Sequence, residues 1–136
     1  DHAYLPIYAI QNGLIKEAIA GEVVKGPFLA AQKNTKLYGM NELIEVKLGD
    51  GLEVVDDTID AITICGMGGP LIAQIIEEGK HKLTGHPDLI LQANIHALPI
   101  RKVLQKIICK VIFCSDPSEI WQINVFTNCR KIRSSS

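Results

Sequence analysis

Apolar positions along this chain change between helical and strand spacing, and the changes mark the elements. Residues 5–12, LPIYAIQN, carry a proline near the start, apolar side chains on one helical face and Gly13 as a stop, which predicts a short helix. IKEAIAGEVV reads as a strand ending near Glu22. Gly26 and Pro27 open a second helix, PFLAAQKNTKLY, which ends at Gly39. LIEVKLGDG alternates as a strand and breaks at Gly49-Asp50-Gly51, and DAITICG is a nearly continuous β-branched run, expected to be buried on both faces. PLIAQIIEEGKHKL predicts a helix with Leu71, Ile72, Ile75 and Ile76 on its inner side. DLILQAN predicts another buried strand, and ALPIRKVLQKI a helix broken early by Pro99. CKVIFCS and IWQINVFTN fit two last strands, and RKIRSSS a frayed basic end.

Helix and strand alternate throughout, so the expected fold is α/β, a doubly wound and mainly parallel sheet occupying residues 1–126, with 127–136 as a tail. In such sheets ligands bind beyond the carboxyl ends of the strands. Those ends fall at Glu22, at Asp50, at Gly66 to Gly69 and at Gln92 to His96.

Composition narrows the function classes. The 136 residues are 47% hydrophobic and 21% charged, which suits one globular domain with a real core. One Trp, three Tyr and three Phe make the core aliphatic and argue against a stacking platform for single-stranded nucleic acid. The net charge of −1 conceals an asymmetry, because residues 1–100 hold seven Lys and Arg against thirteen Asp and Glu, whereas residues 101–136 hold seven against two. The basic end can touch RNA phosphates, although scattered charges are more commonly a solvated surface. Cys65, Cys109, Cys114 and Cys129 lack metal-like spacing and read as buried free thiols of a cytoplasmic protein. No apolar run is long enough to cross a membrane and no signal-peptide pattern is present.

The stretch ICGMGGP, residues 64–70, is the most conspicuous motif. A phosphate loop requires a following Gly-Lys-Ser/Thr, and none follows Gly66. A dinucleotide fingerprint requires glycine at its sixth place, where Leu71 stands, so a nicotinamide-dependent oxidoreductase is disfavoured. Two readings stay open: a turn whose small residues let a flat ligand approach the backbone, or a purely structural turn. Glu22, ending its strand, can accept both hydroxyls of a ribose, and Asp50 can accept from an adenine amino group. Either alone is equally a solvated acid or a turn residue. Together with the glycine turn they favour a ligand containing adenosine. Asn94 and His96 follow a buried strand at the same kind of edge, where capping is the ordinary alternative for Asn94. His81 and His86 do not share a helical face, so no metal site is expected.

Five stretches in order, DHAYLPIY (1–8), AIAGEVVKGP (18–27), LGDGLEV (48–54), TICGMGGPLI (63–72) and LILQANIHALPIRKVL (89–104), resemble the bacterial tRNA (adenine-22-N1)-methyltransferases. These are class I enzymes of Rossmann-like fold that use S-adenosylmethionine. The resemblance covers residues 1–105. It implies that Glu22, beside Val23, holds the cofactor ribose, that Asp50 and Gly51 sit at its adenine, and that Asp1 and His2 lie at its methionine end. Gly66, Met67, Gly68 and Gly69 would stand beside the target base; Asn94 and His96, from their place after the strand end, and His2, next to Asp1, are further catalytic candidates. It implies tRNA as the substrate and in-line attack by adenine N1 on the methyl group, with Asp1 the first choice for a carboxylate that stabilises the resulting cation. In this family an acidic, glycine-bearing strand end precedes the first motif, and a long helical segment follows the domain. The present sequence begins after the one and matches the other poorly, so an N-terminally truncated copy is expected. A chain without activity that binds RNA or a partner is the alternative.

Overall fold

The computed structural model describes residues 2–85, 87–107, 110–114 and 124–127, the last two segments by their backbone. The chain divides into two compact units, Asp1–Val55 and Asp56–Ser136.

The first unit holds α1 (Tyr4–Gln11), β1 (Ala18–Glu22), α2 (Lys25–Leu37) and β2 (Ile44–Leu48), then a single 3-10 turn at Gly51–Val54. Both predicted helix stops operate as glycine-centred C-terminal turns. After α1, Leu14 N–H reaches Ala9 O at 2.9 Å and Gly13 N–H reaches Ile10 O at 3.1 Å; after α2, Met40 reaches Thr35 and Gly39 reaches Lys36 in the same pattern. β1 and β2 pair in parallel, with Ala18 opposite Ile44 and Glu22 opposite Leu48. The core here is thin: Ala3, Ile7, Ala31 and Ile44 are buried, with Ile10, Ala18, Ala20, Met40 and Val46 partly covered around them.

The second unit holds β3 (Ala61–Met67), α3 (Gly69–Gly79), β4 (Asp88–Ala93), α4 (Leu98–Ile107), β5 (Lys110–Cys114) and β6 (Asn124–Thr127). Its sheet runs β3-β4-β6-β5. β3 and β4 are parallel, while β6 is antiparallel to both β4 and β5. Ile62, Ile64, Ile72, Ala73, Ile76, Leu83, Leu89, Leu91, Ile100 and Leu104 form a dense aliphatic core. The α/β expectation is met, with every sequence-predicted helix and strand present.

Four details depart from the expectation. β3 is not buried on both faces: Ile62 and Ile64 are buried, whereas Thr63 and Cys65 are exposed. The helix that packs on β3 covers one side, so its alternate residues separate. Cys65 is for that reason an exposed rather than a buried thiol. On α3 the inner face is Gly69, Ile72, Ala73, Ile76 and Gly79, and Leu71 stays 49% exposed because it lies one position off that stripe. Pro99 does not break α4. It sits in the first turn, where a missing N–H costs nothing, and the helix starts at Leu98. Of the expected tail, Thr127 closes β6, and 128–136 lie outside the described residues.

Candidate functional site

Each unit carries a set of the predicted residues on the carboxyl ends of its strands. In the first unit, Glu22 ends β1 opposite Leu48 of β2, and Asp50 follows two residues later, so the two acids stand on adjacent strand ends. Gly49 N–H donates to Glu22 O at 3.0 Å and prolongs that pairing past the strand. Asp50 N–H donates to Glu53 Oε2 at 3.2 Å while Asp50 O accepts from Glu53 N–H at 3.1 Å. The backbone of Asp50 is thereby tied down and the residue itself remains exposed. Val23 is 60% exposed on the same edge.

A contact invisible in the sequence sets this edge. A Cβ on Gly21 would lie 2.8 Å from Val54 Cγ2, and one on Gly49 would lie 2.8 Å from Val54 Cγ1. Val54 is a peg between the two strands, and both glycines are required by it rather than by a ligand. The two glycines it meets immediately precede the two acids, Glu22 and Asp50, in sequence.

At the chain's start, His2 and Ala3 both have left-handed backbones, φ 54 and φ 63, which side chains other than glycine seldom adopt. Asn34 Nδ2 donates to His2 O at 3.0 Å and holds this turn, and Ala3 is buried beneath it. The His2 ring meets Tyr4 edge-on at 6.3 Å. Its Nδ1 is buried without a hydrogen-bond partner, an arrangement that a polar ligand group would satisfy. Asp1 lies outside the described residues.

In the second unit the glycine turn is stitched to the loop after β4. β3 carries a bulge between Cys65 and Met67, and Gly66 takes φ 79 there, the left-handed conformation for which glycine is suited. The bulge leaves the Gly66 N–H without a ladder partner, and Gln92 Oε1 accepts it at 2.8 Å. Gln92 in turn donates from Nε2 to Asn94 Oδ1 at 3.2 Å. Asn94 N–H returns to Met67 O and Gly69 N–H to Ile95 O, each at 2.8 Å. Gly69 is sterically obligatory, because a Cβ there would lie 1.6 Å from His96 O. His96 holds φ 56 at this crossing and its side chain is exposed. Gly68 differs from both neighbours. Its φ is −70, and a Cβ would meet only Pro70 Cδ at 3.8 Å and Ile95 Cγ1 at 4.0 Å, so the fold does not demand glycine there. The structural reading of the turn therefore accounts for Gly66 and Gly69, and the ligand reading retains Gly68.

The remaining chemistry is modest. Although Cys65 is exposed, partial desolvation by the surrounding protein raises its thiol above the ordinary value, with a hydrogen bond involving the Gln92 backbone partly opposing, so it is a weak nucleophile at neutral pH. Among the described residues no cluster of His, Cys, Asp and Glu has a metal-holding arrangement, and no helix is long and apolar enough to cross a membrane. The structure thus groups Glu22, Val23, Asp50 and Gly51 on one edge, and Gly66 to Gly69 with Asn94 and His96 on another. Sequence reasoning put Gln92 at a strand end but gave it no role, although it is a lone amide inside the apolar run DLILQA. That reasoning missed Val54, Asn34 and the demand they place on their neighbours.

Similarity to known proteins follows these residues. A family model described as tRNA (adenine(22)-N(1))-methyltransferase matches residues 1–127. A curated relative from Bacillus subtilis (strain 168), named tRNA (adenine(22)-N(1))-methyltransferase, is 57% identical over 107 residues, which are 78% of this chain and 45% of that protein. A Streptococcus pneumoniae protein solved in complex with S-adenosyl-L-methionine superposes with TM-score 0.87 at 41% identity, covering 99% of this chain and 65% of that one. A Streptococcus agalactiae protein of the NADB-Rossmann superfamily matches with TM-score 0.87 at 41% identity, over 93% of this chain and 58% of that one. The chain therefore has a Rossmann-like α/β fold, and it spans about half the length of the curated relative it matches.

Proposed function

This chain belongs to the tRNA (adenine(22)-N(1))-methyltransferase family, and from that premise we propose that it binds S-adenosylmethionine and methylates N1 of an adenine in tRNA, in the cytoplasm. The observation that carries the proposal is the family match over residues 1–127, which contains both strand-end edges. The relative solved with S-adenosyl-L-methionine supports the choice of cofactor.

The residues present fit that cofactor. Two acids on adjacent strand ends suit a ribose diol and an adenine amino group, since carboxylates accept only and these groups donate. The orphaned His2 Nδ1 suits the polar amino-acid end. When bound, the sulfonium supplies an electrophilic methyl group. The chain's own part is to orient the reactants. Glu22, beside Val23, takes the ribose hydroxyls, Asp50 and Gly51 border the adenine, and Asp1 and His2 take the methionine end. Gly66 to Gly69 form the floor for the target base, with Gly68 leaving room for close approach, and Asn94 and His96 flank it. Adenine N1 needs no deprotonation to act as a nucleophile, so most of the acceleration comes from alignment and from a carboxylate near the cation that develops on the base. Asp1 is the residue proposed for that carboxylate.

Calorimetric titration with S-adenosylhomocysteine tests the binding half. The full chain should bind it, and Glu22→Ala should weaken binding by at least about tenfold, because two hydrogen bonds to a charged acceptor are lost. A folded chain that shows no heat at roughly millimolar ligand, about the weakest affinity worth counting, would sink the proposal. Transfer of a labelled methyl group to tRNA, with the product base identified as N1-methyladenine, tests the other half.

A further inference from the structure

Gln92 is a buried amide, 8% exposed, in a strand that is otherwise aliphatic at its covered positions. Its two ends are not interchangeable. The Gly66 N–H released by the bulge can only donate, so the atom facing it at 2.8 Å must be Oε1. The NH2 group is then directed at Asn94, at 3.2 Å, and the atom receiving it must be Oδ1. One backbone donor fixes the orientation of both amides in sequence. The Asn94 NH2 group is turned away from Gln92, on an exposed residue at the lip of the glycine turn, and no hydrogen bond is recorded from it among the described residues. The Asn94 oxygen is engaged by Gln92, so the group left to address that lip is its NH2 donor.

We propose that Gln92 is a positioning residue which sets Asn94 as a hydrogen-bond donor to a ring-nitrogen acceptor of the target adenine, N3 or N7. The proposal rests on the placement of the target base at the glycine turn given above, and it adds the polarity of the contact and the residue that imposes it. A donor here excludes the adenine 6-amino group as the partner of Asn94, because two N–H groups repel. It leaves N1 open as the nucleophile, since the ring edge addressed is another one. The bulge at Gly66 gains a purpose beyond shaping the turn: it frees the N–H that anchors the relay.

Two variants invert the polarity without removing volume. Asn94→Asp keeps the acceptor for Gln92 Nε2 and replaces the outward donor with an acceptor, on an exposed residue whose change leaves the fold intact. Gln92→Glu keeps the acceptor for Gly66 and removes the donor, so Asn94 must turn over and present its oxygen. Each should lower kcat/KM for tRNA about tenfold or more, the effect of one lost hydrogen bond made unfavourable, while the affinity for S-adenosylhomocysteine changes less than about twofold. In an Asn94→Ala background, Gln92→Glu should cost no further kcat/KM, because its effect passes through Asn94. With wild-type protein, tRNA carrying either 3-deaza- or 7-deazaadenosine at the target should be the poorer substrate by a similar factor, and that difference should vanish in Asn94→Ala. If Asn94→Asp methylates tRNA as well as wild type, or if Gln92→Glu is equally costly without Asn94, the relay is refuted while the methyltransferase reading stands. If the wild-type chain binds the cofactor product but transfers no methyl group to tRNA, that reading fails and the relay with it.

Discussion

The two units place their strand-end residues by different physical means. The first, ending at Val55, has a two-stranded parallel sheet on a small core, and it leaves Tyr4, Leu5, Tyr8, Leu14, Val23, Val24, Leu37 and Leu48 exposed. Its acids are placed by backbone pairing and by the Val54 peg. The second has a four-stranded sheet whose central strand β4 buries Leu89 and Leu91 completely, and among its side chains described only Met67, Leu71, Ile95 and Leu98 are large, apolar and exposed. Its turn is placed by a hydrogen-bonded amide inside a dense core. Burial thus supplies rigidity where a loop must keep its shape, whereas parallel pairing suffices where two carboxylates need only stand side by side.

Four substitutions test that contrast. The largest effect belongs to Gly69→Ala. Its methyl group would overlap the His96 carbonyl, and neither is the end of a flexible side chain. The destabilisation should reach or exceed the upper end of the ~1–3 kcal/mol typical of overpacking, read as a fall in the melting midpoint with loss of methyl transfer. Next come paired truncations of the two cores. Leu91→Ala should cost about 2–5 kcal/mol and Ile44→Ala an amount at the low end of that range, because the thinner core relaxes around the gap; equal losses in denaturant titrations would erase the contrast. Smallest in stability is Gly68→Ala, expected within about 0.5 kcal/mol of wild type because the added carbon finds ordinary contacts. Its methyl transfer should nonetheless fall, and unchanged activity would show that the ligand reading of this glycine is wrong.

What the sequence made legible follows from the range of the forces involved. Gly13 and Gly39 act within one helix turn of the residues they terminate, so local pattern revealed them. Glu22 and Asp50 were found because parallel strands place their carboxyl ends together whatever else the chain does. The Gln92 link to Gly66 crosses 26 residues, and its only local trace is a polar residue in an apolar run. Leu71 was misassigned because a four-residue apolar set fits two neighbouring helical stripes, and only the sheet beneath decides between them. β3 was misjudged for a related reason: β-branched composition suits a strand, but the number of covered faces depends on what packs there.

Val54 has a consequence for how this protein can vary. Two positions without side chains, Gly21 and Gly49, and one with a branched side chain share a single volume, although 28 residues separate the glycines. No one of the three can grow unless another shrinks. Across related sequences they should therefore change in concert, and a smaller residue at position 54 is the permissive step that must come before a methyl group at either glycine. The acids beside them inherit that constraint without contributing to it, so the history of that strand-end edge is governed in part by a valine with no polar atom to offer.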